Sequence, residues 1–313
     1  DARFGDWTEK LVINGIGATV TNMSNGRVQY YSDYNLFGAA KGWTVLQWSC
    51  CSGTRPIAVS DYLNLIYFRD AVSLYVNLFI PSRVRWEHGG QTVVVRQETH
   101  FPEEDVVRIS VSPERPAAFT LRIRRPGWLA AEPEIRVNGN PVPPLTDERH
   151  WLVMNRTWQA GDTVSLRLPM KLAPESLKAD RSQPFAMVYG PVVLAFEGTS
   201  GNPSGELKFD TITETLKPDS RGPLHYLFKG SREWVARPFY TFGAEELYYL
   251  YLDSKATNMM SHLGLKYSPG WKNLTHLHVN NEAGATVTHT FSGTGVRWIG
   301  QRFDDAGMAE VIV

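Results

Sequence analysis

From residue 74 the chain reads Leu74-Tyr75-Val76-Asn77-Leu78-Phe79-Ile80, and further on Val106-Val107-Arg108-Ile109-Ser110-Val111 and Phe119-Thr120-Leu121-Arg122-Ile123-Arg124. Apolar and polar side chains alternate along much of these stretches, as they do in strands that bury one face in a core. Similar short stretches continue to Tyr189, separated by Gly- and Pro-containing turns, of which Asn138-Gly139 is a strong hairpin signal. The pattern therefore predicts an antiparallel β-sandwich.

The sequence before this region has the spacing of helices. Phe4 and Trp7 begin a series of apolar residues at intervals of three to five, which predicts a helix within residues 3–17. A second helix is expected to begin at Thr54, whose hydroxyl can cap the backbone, with Pro56 in its first turn. The fold class predicted for the chain is mainly β with N-terminal helices.

Three segments are predicted on this basis: helices in 1–70, the β-sandwich in 71–197, and a linker with an incomplete second β-module in 198–313. Residues 198–223 are rich in Gly, Ser, Pro and charge, which is typical of a linker or long loop. Since the chain opens without Met and closes within an apolar stretch, we expect it to be a fragment of a longer protein.

Composition and charge exclude some classes of partner. The 32 Lys and Arg residues balance the 32 Asp and Glu residues, so no basic field would attract nucleic acid or anionic lipid. No apolar run approaches the ~18 residues of a membrane-spanning helix. The chain has 10 Trp, 13 Tyr and 14 Phe, and such rings can line a sugar site but more often fill β-sandwich cores.

The only two cysteines of the chain are the adjacent Cys50 and Cys51. Neighbouring Cα atoms lie about 3.8 Å apart, whereas an ordinary disulfide joins Cα atoms roughly 4.4–6.8 Å apart. The pair could be two free thiols, in the simplest case buried as small hydrophobic residues, a strained vicinal disulfide, or two soft ligands on one metal ion. The spacing alone leaves these alternatives open.

Several motifs follow one another in a distinctive order: residues 1–11 (Asp-Ala-Arg-Phe-Gly-Asp-Trp-Thr-Glu-Lys-Leu), Asn14-Gly15, 30–34 (Tyr-Tyr-Ser-Asp-Tyr), Cys50-Cys51, 74–82, Arg125-Pro126-Gly127-Trp128, 137–139 and Tyr189-Gly190-Pro191-Val192. In this order they resemble the bacterial β-L-arabinofuranosidase family, glycoside hydrolase family 127 and its relatives. Together they cover roughly residues 1–197. The tail from Phe291 to Val313 resembles the opening half of a jelly-roll module appended to some glycoside hydrolases, an arrangement that leans toward a periplasmic or secreted location.

The resemblance implies an (α/α)₆ barrel, whose last helices would be residues 1–70, followed by the β-sandwich. It implies a zinc ion bound by Cys50 and Cys51 together with an upstream Glu-x-Cys motif, and it makes Cys50 the nucleophile. Zinc coordination would hold the sulfur as the reactive thiolate. It also suggests Tyr31 as an active-site tyrosine, although a core tyrosine is an equally good interpretation.

Two functional hypotheses follow from the sequence. The first is a zinc-dependent retaining glycosidase with a carbohydrate substrate, of which this chain would be an inactive C-terminal fragment because the acid/base Glu and the other zinc ligands lie upstream. The second is a carbohydrate-binding or structural β-module without catalysis. Ser52-Gly53-Thr54 follows the cysteines where characterised arabinofuranosidases tend to carry Pro-Pro-Asn, so the resemblance does not fix the sugar.

Overall fold

The computed structural model describes residues 1–19, 29–32, 39–43, 50–176, 178–180, 184–198, 203–244, 246–253, 265–274 and 277–290. The chain divides into two units, Asp1–Ser261 and His262–Val313. In the first unit, helix α1 (Arg3–Lys10) continues into a π-helical segment (Leu11–Ile16) and a 3₁₀ turn (Gly17–Thr19), and is followed by α2 (Cys50–Ile66), α3 (Ile212–Thr215) and a 3₁₀ turn (Phe239–Thr241).

The strands of the first unit, in chain order, are β1 (Gln29–Ser32), β2 (Lys41–Trp43), β3 (Tyr67–Arg69), β4 (Ser73–Val76), β5 (Ser82–His88), β6 (Gln91–Thr99), β7 (Val106–Pro113), β8 (Ala117–Arg124), β9 (Glu134–Val137), β10 (Asn140–Val142), β11 (Trp151–Trp158), β12 (Asp162–Arg167), β13 (Leu172–Ser176), β14 (Phe185–Tyr189), β15 (Val192–Glu197), β16 (Lys217–Pro218), β17 (Tyr226–Lys229), β18 (Glu233–Pro238), β19 (Tyr248–Tyr249) and β20 (Tyr251–Leu252). Strands β1 and β2 pair with each other.

Strands β3 to β12 form the predicted β-sandwich. A six-stranded sheet of order β10-β9-β12-β7-β6-β5 packs on a four-stranded sheet of order β11-β8-β4-β3. The alternating apolar side chains of both sheets share one core, exemplified by Val95, Ile109, Leu121 and Trp158, none of which is exposed. The strand pairs of the sandwich are antiparallel, except that β4 and β8 are parallel. Between these two strands the chain crosses to the opposite sheet, where it forms β5 to β7, and then returns.

A further sheet of eight strands, separate from the sandwich, contains β13 to β20. Its core buries Phe185, Leu194 and Phe196 against Leu207, Ile212 and other apolar residues that follow residue 198. The strands of residues 172–197 therefore pair with residues 217–252 rather than with the sandwich. The linker-like composition of 198–223 conceals this packing, because its few apolar residues, including Leu216, are the ones that are buried.

Helix α2 begins earlier than the sequence indicates, at Cys50 rather than at Thr54, so Pro56 lies inside the helix. Proline has no backbone N–H to donate to the carbonyl of Ser52, which leaves the helix one hydrogen bond short at that turn. The helix ends at Ile66, and β3 follows at once. None of the helices among the described residues has the length and apolar character needed to cross a membrane.

The described residues of the second unit form two small antiparallel pairs. Strand β21 (Lys266–Tyr267) pairs with β24 (Val287–Thr288), and β22 (Lys272–Leu274) pairs with β23 (Leu277–Val279). The predicted jelly-roll segment from Phe291 onward lies outside the described residues. The mainly β fold class with N-terminal helices is confirmed.

Candidate functional site

Cys50 is the first residue of α2, and its side chain is exposed. The first turn of a helix presents backbone N–H groups without intrahelical partners, and the helix dipole places partial positive charge there. Because the side chain is exposed, the buried-thiol alternative does not hold for Cys50.

Cys51 follows Cys50 within the same first turn, and Tyr31 lies on β1 opposite Gly42 of β2. The side chains of both residues lie outside the described part of the structure. The structure thus shows on which helix or strand each of the three predicted site residues lies, and it shows side-chain exposure for Cys50 alone. The proximity of Tyr31 to the cysteines stays a prediction.

The donor chemistry of the cysteine pair suits zinc, since thiolates are soft ligands that Zn²⁺ binds at about 2.3 Å. A structural zinc site needs four ligands, and a catalytic one needs three protein ligands with an open position. Among the described side chains, no group of three or more His, Cys, Asp or Glu residues is arranged to hold a metal ion. The pair can therefore supply part of a zinc site, which needs further ligands to be complete.

The β1–β2 pair that carries Tyr31 is held in place through Lys41, whose side chain is 1% exposed. Its Nζ donates to the carbonyl oxygens of Phe239 at 2.9 Å and Phe242 at 2.7 Å. Burial, reinforced by the nearby Arg237 guanidinium, lowers the pKa of Lys41 from its ordinary 10.5 to about 8. A buried amine thus fixes β2 to residues that belong to the eight-stranded sheet.

A buried ionic cluster joins α1 to the end of the sandwich. Arg124, the last residue of β8, is fully buried and pairs with both Asp6 and Glu9 of α1. Its Nε donates to the Asn77 carbonyl at 2.6 Å, and the Trp128 Nε1–H donates to Glu9 Oε2 at 2.8 Å. Each charge at this junction therefore has a partner, as buried charges require.

Burial raises the pKa of Glu9 above its usual value, while the Arg124 guanidinium and the hydrogen bond from Trp128 act in the opposite direction. Strongly perturbed carboxyl groups occur both in active sites and in structural ion pairs. Glu9 is 3% exposed and contacts partners from two elements, so its geometry is that of an anchor between α1 and the sandwich.

Asn14 makes a second connection from the N-terminal segment. Its amide donates to the Pro191 carbonyl at 2.8 Å and accepts the Val193 N–H at 2.8 Å, which ties the π-helical segment to β15. Gly127 likewise donates its N–H to Asp6 at 2.9 Å. Several motifs on which the family resemblance depends thus meet at the contacts of the N-terminal helix, and they form a structural junction.

Sequence reasoning did not identify Lys41 or the Glu9–Arg124 pair as important. For the pair a signal existed, because Asp6 and Glu9 are three residues apart and therefore share a helix face that one cation can reach. For Lys41 the sequence carries no such signal, since its partners are backbone carbonyls about 200 residues away.

The helices leave a large apolar surface exposed. Phe4, Trp7 and Leu11 of the N-terminal helical segment are 65%, 70% and 63% exposed, and Ile57 and Leu63 of α2 are 62% and 70% exposed. Single exposed apolar residues are normal, whereas several large ones on two helices are typical of surfaces that another part of a protein covers.

Comparison with known proteins relates this architecture to one family. Residues 73–170 match the family model described as Beta-L-arabinofuranosidase, GH127 middle domain, and this range closely follows the sandwich. No curated protein matches the chain.

Solved structures show the same fold over most of the described architecture. A GH127 beta-L-arabinofuranosidase from Geobacillus stearothermophilus T6 aligns with a TM-score of 0.63 and 20% identity, covering 81% of this chain and 46% of that one. A structure titled as a GH127 beta-arabinofuranosidase aligns with a TM-score of 0.60 and 18% identity, covering 81% of this chain and 46% of that one. A structure titled glycoside hydrolase aligns with a TM-score of 0.64 and 18% identity, covering 81% of this chain and 48% of that one. The chain spans about half the length of these proteins. The predicted resemblance to the β-L-arabinofuranosidase family, GH127, is thereby confirmed, by sequence in the sandwich and by fold over most of the chain.

Proposed function

We propose that this chain is part of a zinc-dependent retaining glycoside hydrolase of the β-L-arabinofuranosidase type, with Cys50 as the nucleophile. The observation that carries the proposal is the exposed position of Cys50 at the first residue of α2, in a chain related to GH127. A nucleophile must be reachable by the substrate, and the exposure of Cys50 meets this condition.

Cys50 and Cys51 would hold the zinc ion, with the remaining ligands supplied from outside the described residues. When bound, zinc keeps the Cys50 sulfur deprotonated at neutral pH, where a thiol with its ordinary pKa near 8.5 is mostly protonated. The helix terminus adds partial positive charge in the same place.

The reaction then follows the retaining scheme with sulfur in place of the usual carboxylate. Cys50 Sγ attacks the anomeric carbon, the bond to the leaving oxygen breaks, and a glutamic acid, which the family resemblance places upstream of residue 1, protonates that oxygen. Water next attacks the thioglycosyl carbon from the opposite face, gives a proton to the same glutamate, now a carboxylate, and releases the Cys50 thiolate, so the product keeps the configuration of the substrate.

The exposed apolar residues of the N-terminal helix and α2 support a further part of the proposal. We infer that these helices are the final part of an (α/α)₆ barrel and that its other helices cover Trp7, Leu11 and Leu63. The chain by itself is then expected to be inactive. Lys41 would serve the active site by fixing β1 and β2, and with them Tyr31.

Activity assays on an aryl β-L-arabinofuranoside test this function. The longer protein that includes the barrel should hydrolyse it, and Cys50→Ser should reduce kcat at least 1,000-fold because a serine hydroxyl is a far weaker nucleophile at neutral pH (order-of-magnitude estimate). Thr54→Ala is the matched control, since Thr54 is an exposed residue on the same helix. Near-normal turnover in the Cys50→Ser protein would refute the nucleophile assignment, and hydrolysis by the 313-residue chain alone would refute its inactivity.

A further inference from the structure

The outer face of the four-stranded sheet carries a cleft of about 450 Å³. Phe68 of β3 pairs in register with Tyr75 of β4, which pairs with Arg122 of β8, so these three side chains lie side by side on one face. The turn that precedes β11 contributes Asp147 and Glu148 to the lining. Asp1, Arg149 and Trp151 complete the lining.

The groups of this cleft are held in position by contacts of their own. Asp147 accepts the backbone N–H groups of Arg149 at 2.9 Å and Trp151 at 3.0 Å, and its other carboxylate oxygen pairs with Arg122. The Tyr75 ring packs edge-on to Trp151 with centroids 5.0 Å apart, and its hydroxyl donates to Asp70 at 2.7 Å. A ligand would therefore meet a preformed surface, which reduces the entropic cost of binding.

Hydrogen-bonding capacity remains unused in the cleft. The Nε and Nη1 of Arg122 contact Ser73 and Asp147, whereas its Nη2 has no hydrogen-bond partner among the described residues. Glu148 is exposed, and within the described part of the chain its carboxylate makes no hydrogen bond or ion pair. Beside them, the Phe68 ring is 41% exposed. The cleft thus offers a donor, an acceptor and an apolar ring face together.

The charges that line the cleft restrict the class of ligand. The lining includes three carboxylates, of Asp1, Asp147 and Glu148, and two guanidinium groups, of Arg122 and Arg149. A phosphate would be repelled by the carboxylates and a cation by the guanidinium groups, because like charges at close range cost free energy. A neutral polyhydroxylated molecule can use both kinds of group and can stack its C–H face on the aromatic ring.

We propose that this cleft is a binding site for a neutral saccharide, with Phe68 as the stacking platform and Arg122 and Glu148 as hydrogen-bonding partners of the hydroxyl groups. Phe68 lies on β3, which follows the C-terminal end of α2, whereas Cys50 is at the N-terminal end of that helix. Occupancy of the cleft is therefore independent of the nucleophile.

Saturation-transfer NMR and titration calorimetry on the whole chain, with L-arabinose, D-galactose and an arabino-trisaccharide as probes, test the proposal. Phe68→Ala and Glu148→Gln should each weaken binding about 3- to 10-fold, the size expected for one stacking contact or one hydrogen bond to a charged group. Both residues are exposed, so these variants are expected to fold. The matched controls Phe4→Ala and Glu114→Gln replace exposed residues outside the cleft and should bind like the wild type.

Two results would overturn the saccharide site: unchanged affinity in both cleft variants, or inorganic phosphate bound more tightly than every neutral sugar. Cys50→Ser should leave cleft binding intact. Failure of the catalytic proposal and failure of this one are therefore distinguishable in the same set of proteins.

Discussion

Glu9 of α1 and Arg124 of β8 form an ion pair in which the arginine side chain is fully buried and the glutamate side chain is 4% exposed. The pair joins the N-terminal helix to the sandwich, and Asp6 pairs with the same guanidinium from a position nearer to solvent. Removing one member of a buried pair leaves the other charge without compensation.

Replacing Glu9 should therefore destabilise the protein more than replacing Asp6. We expect Glu9→Ala to lower the free energy of unfolding by about 3–5 kcal/mol, the usual cost of breaking a buried pair, because Arg124 and the Trp128 N–H both lose a partner. Asp6→Asn should cost less, since its side chain is 19% exposed and water can replace part of the interaction. Urea denaturation of the two variants measures the difference. An equal or larger loss in Asp6→Asn would contradict this assignment of the anchor.

Close packing at the same junction makes a second prediction. A Cβ atom added to Gly5 would lie 2.5 Å from Asn77 Oδ1 and in contact with Arg124 Cδ, so Gly5→Ala should destabilise by about 1–3 kcal/mol through overcrowding. Gly15→Ala is the matched control, because nothing lies within 4 Å of its added Cβ. In thermal unfolding, Gly5→Ala should have a lower midpoint temperature than the wild type, and Gly15→Ala should not. Equal midpoints would show that the junction adjusts without cost.

The parts of the fold that can be predicted from the sequence are those determined by residues close to one another in the chain. Alternation predicted the sandwich, and the Asn138-Gly139 turn is present, with positive φ at both residues. The sequence predicts the start of α2 at Thr54, a capping residue that would put Pro56 in the first turn, yet this helix accommodates Pro56 internally. Lys41 could not be predicted, because its partners are main-chain carbonyls brought to it by the eight-stranded sheet.

The exposed apolar residues of the two helices should bind a hydrophobic dye. We expect the chain to enhance anilinonaphthalene sulfonate fluorescence, and Trp7→Glu combined with Leu11→Lys to reduce that enhancement by at least half, because these residues are 70% and 63% exposed (order-of-magnitude estimate). Leu145→Lys is a matched control, as Leu145 is 64% exposed on a loop of the sandwich. A dye signal that Leu145→Lys reduces and the double variant does not would place the dye-binding surface elsewhere.

Lys41 should make stability depend on pH in an alkaline window. Its pKa is about 8 in the folded chain against 10.5 ordinarily, so between these values the unfolded state binds more protons. The free energy of unfolding contributed by this residue should therefore rise with pH from about 8 to 10.5, by up to about 3 kcal/mol, and be constant below pH 8. The neutral amine still has two N–H groups for the two carbonyls it contacts.

The measurement is the difference in unfolding free energy between the wild type and Lys41→Met across this pH range, in which the titration of other groups cancels. A difference that stays constant with pH would show that Lys41 is not shifted by burial.

The reactivity of the two adjacent cysteines provides the last prediction. Cys50 is exposed at the start of α2, and if it is the nucleophile, an electrophile shaped like the substrate should alkylate it in preference to Cys51. We expect a haloacetamide-bearing arabinofuranose analogue to label the longer, barrel-containing protein once, at Cys50, as peptide mass spectrometry would show. Cys51→Ser should retain this labelling while losing affinity for zinc, because a hydroxyl is a poor zinc ligand. A plain haloacetamide without the sugar is the control, and it should label Cys50 more slowly than the analogue does. Labelling of Cys51 instead of Cys50 by the analogue would show that the two roles are reversed.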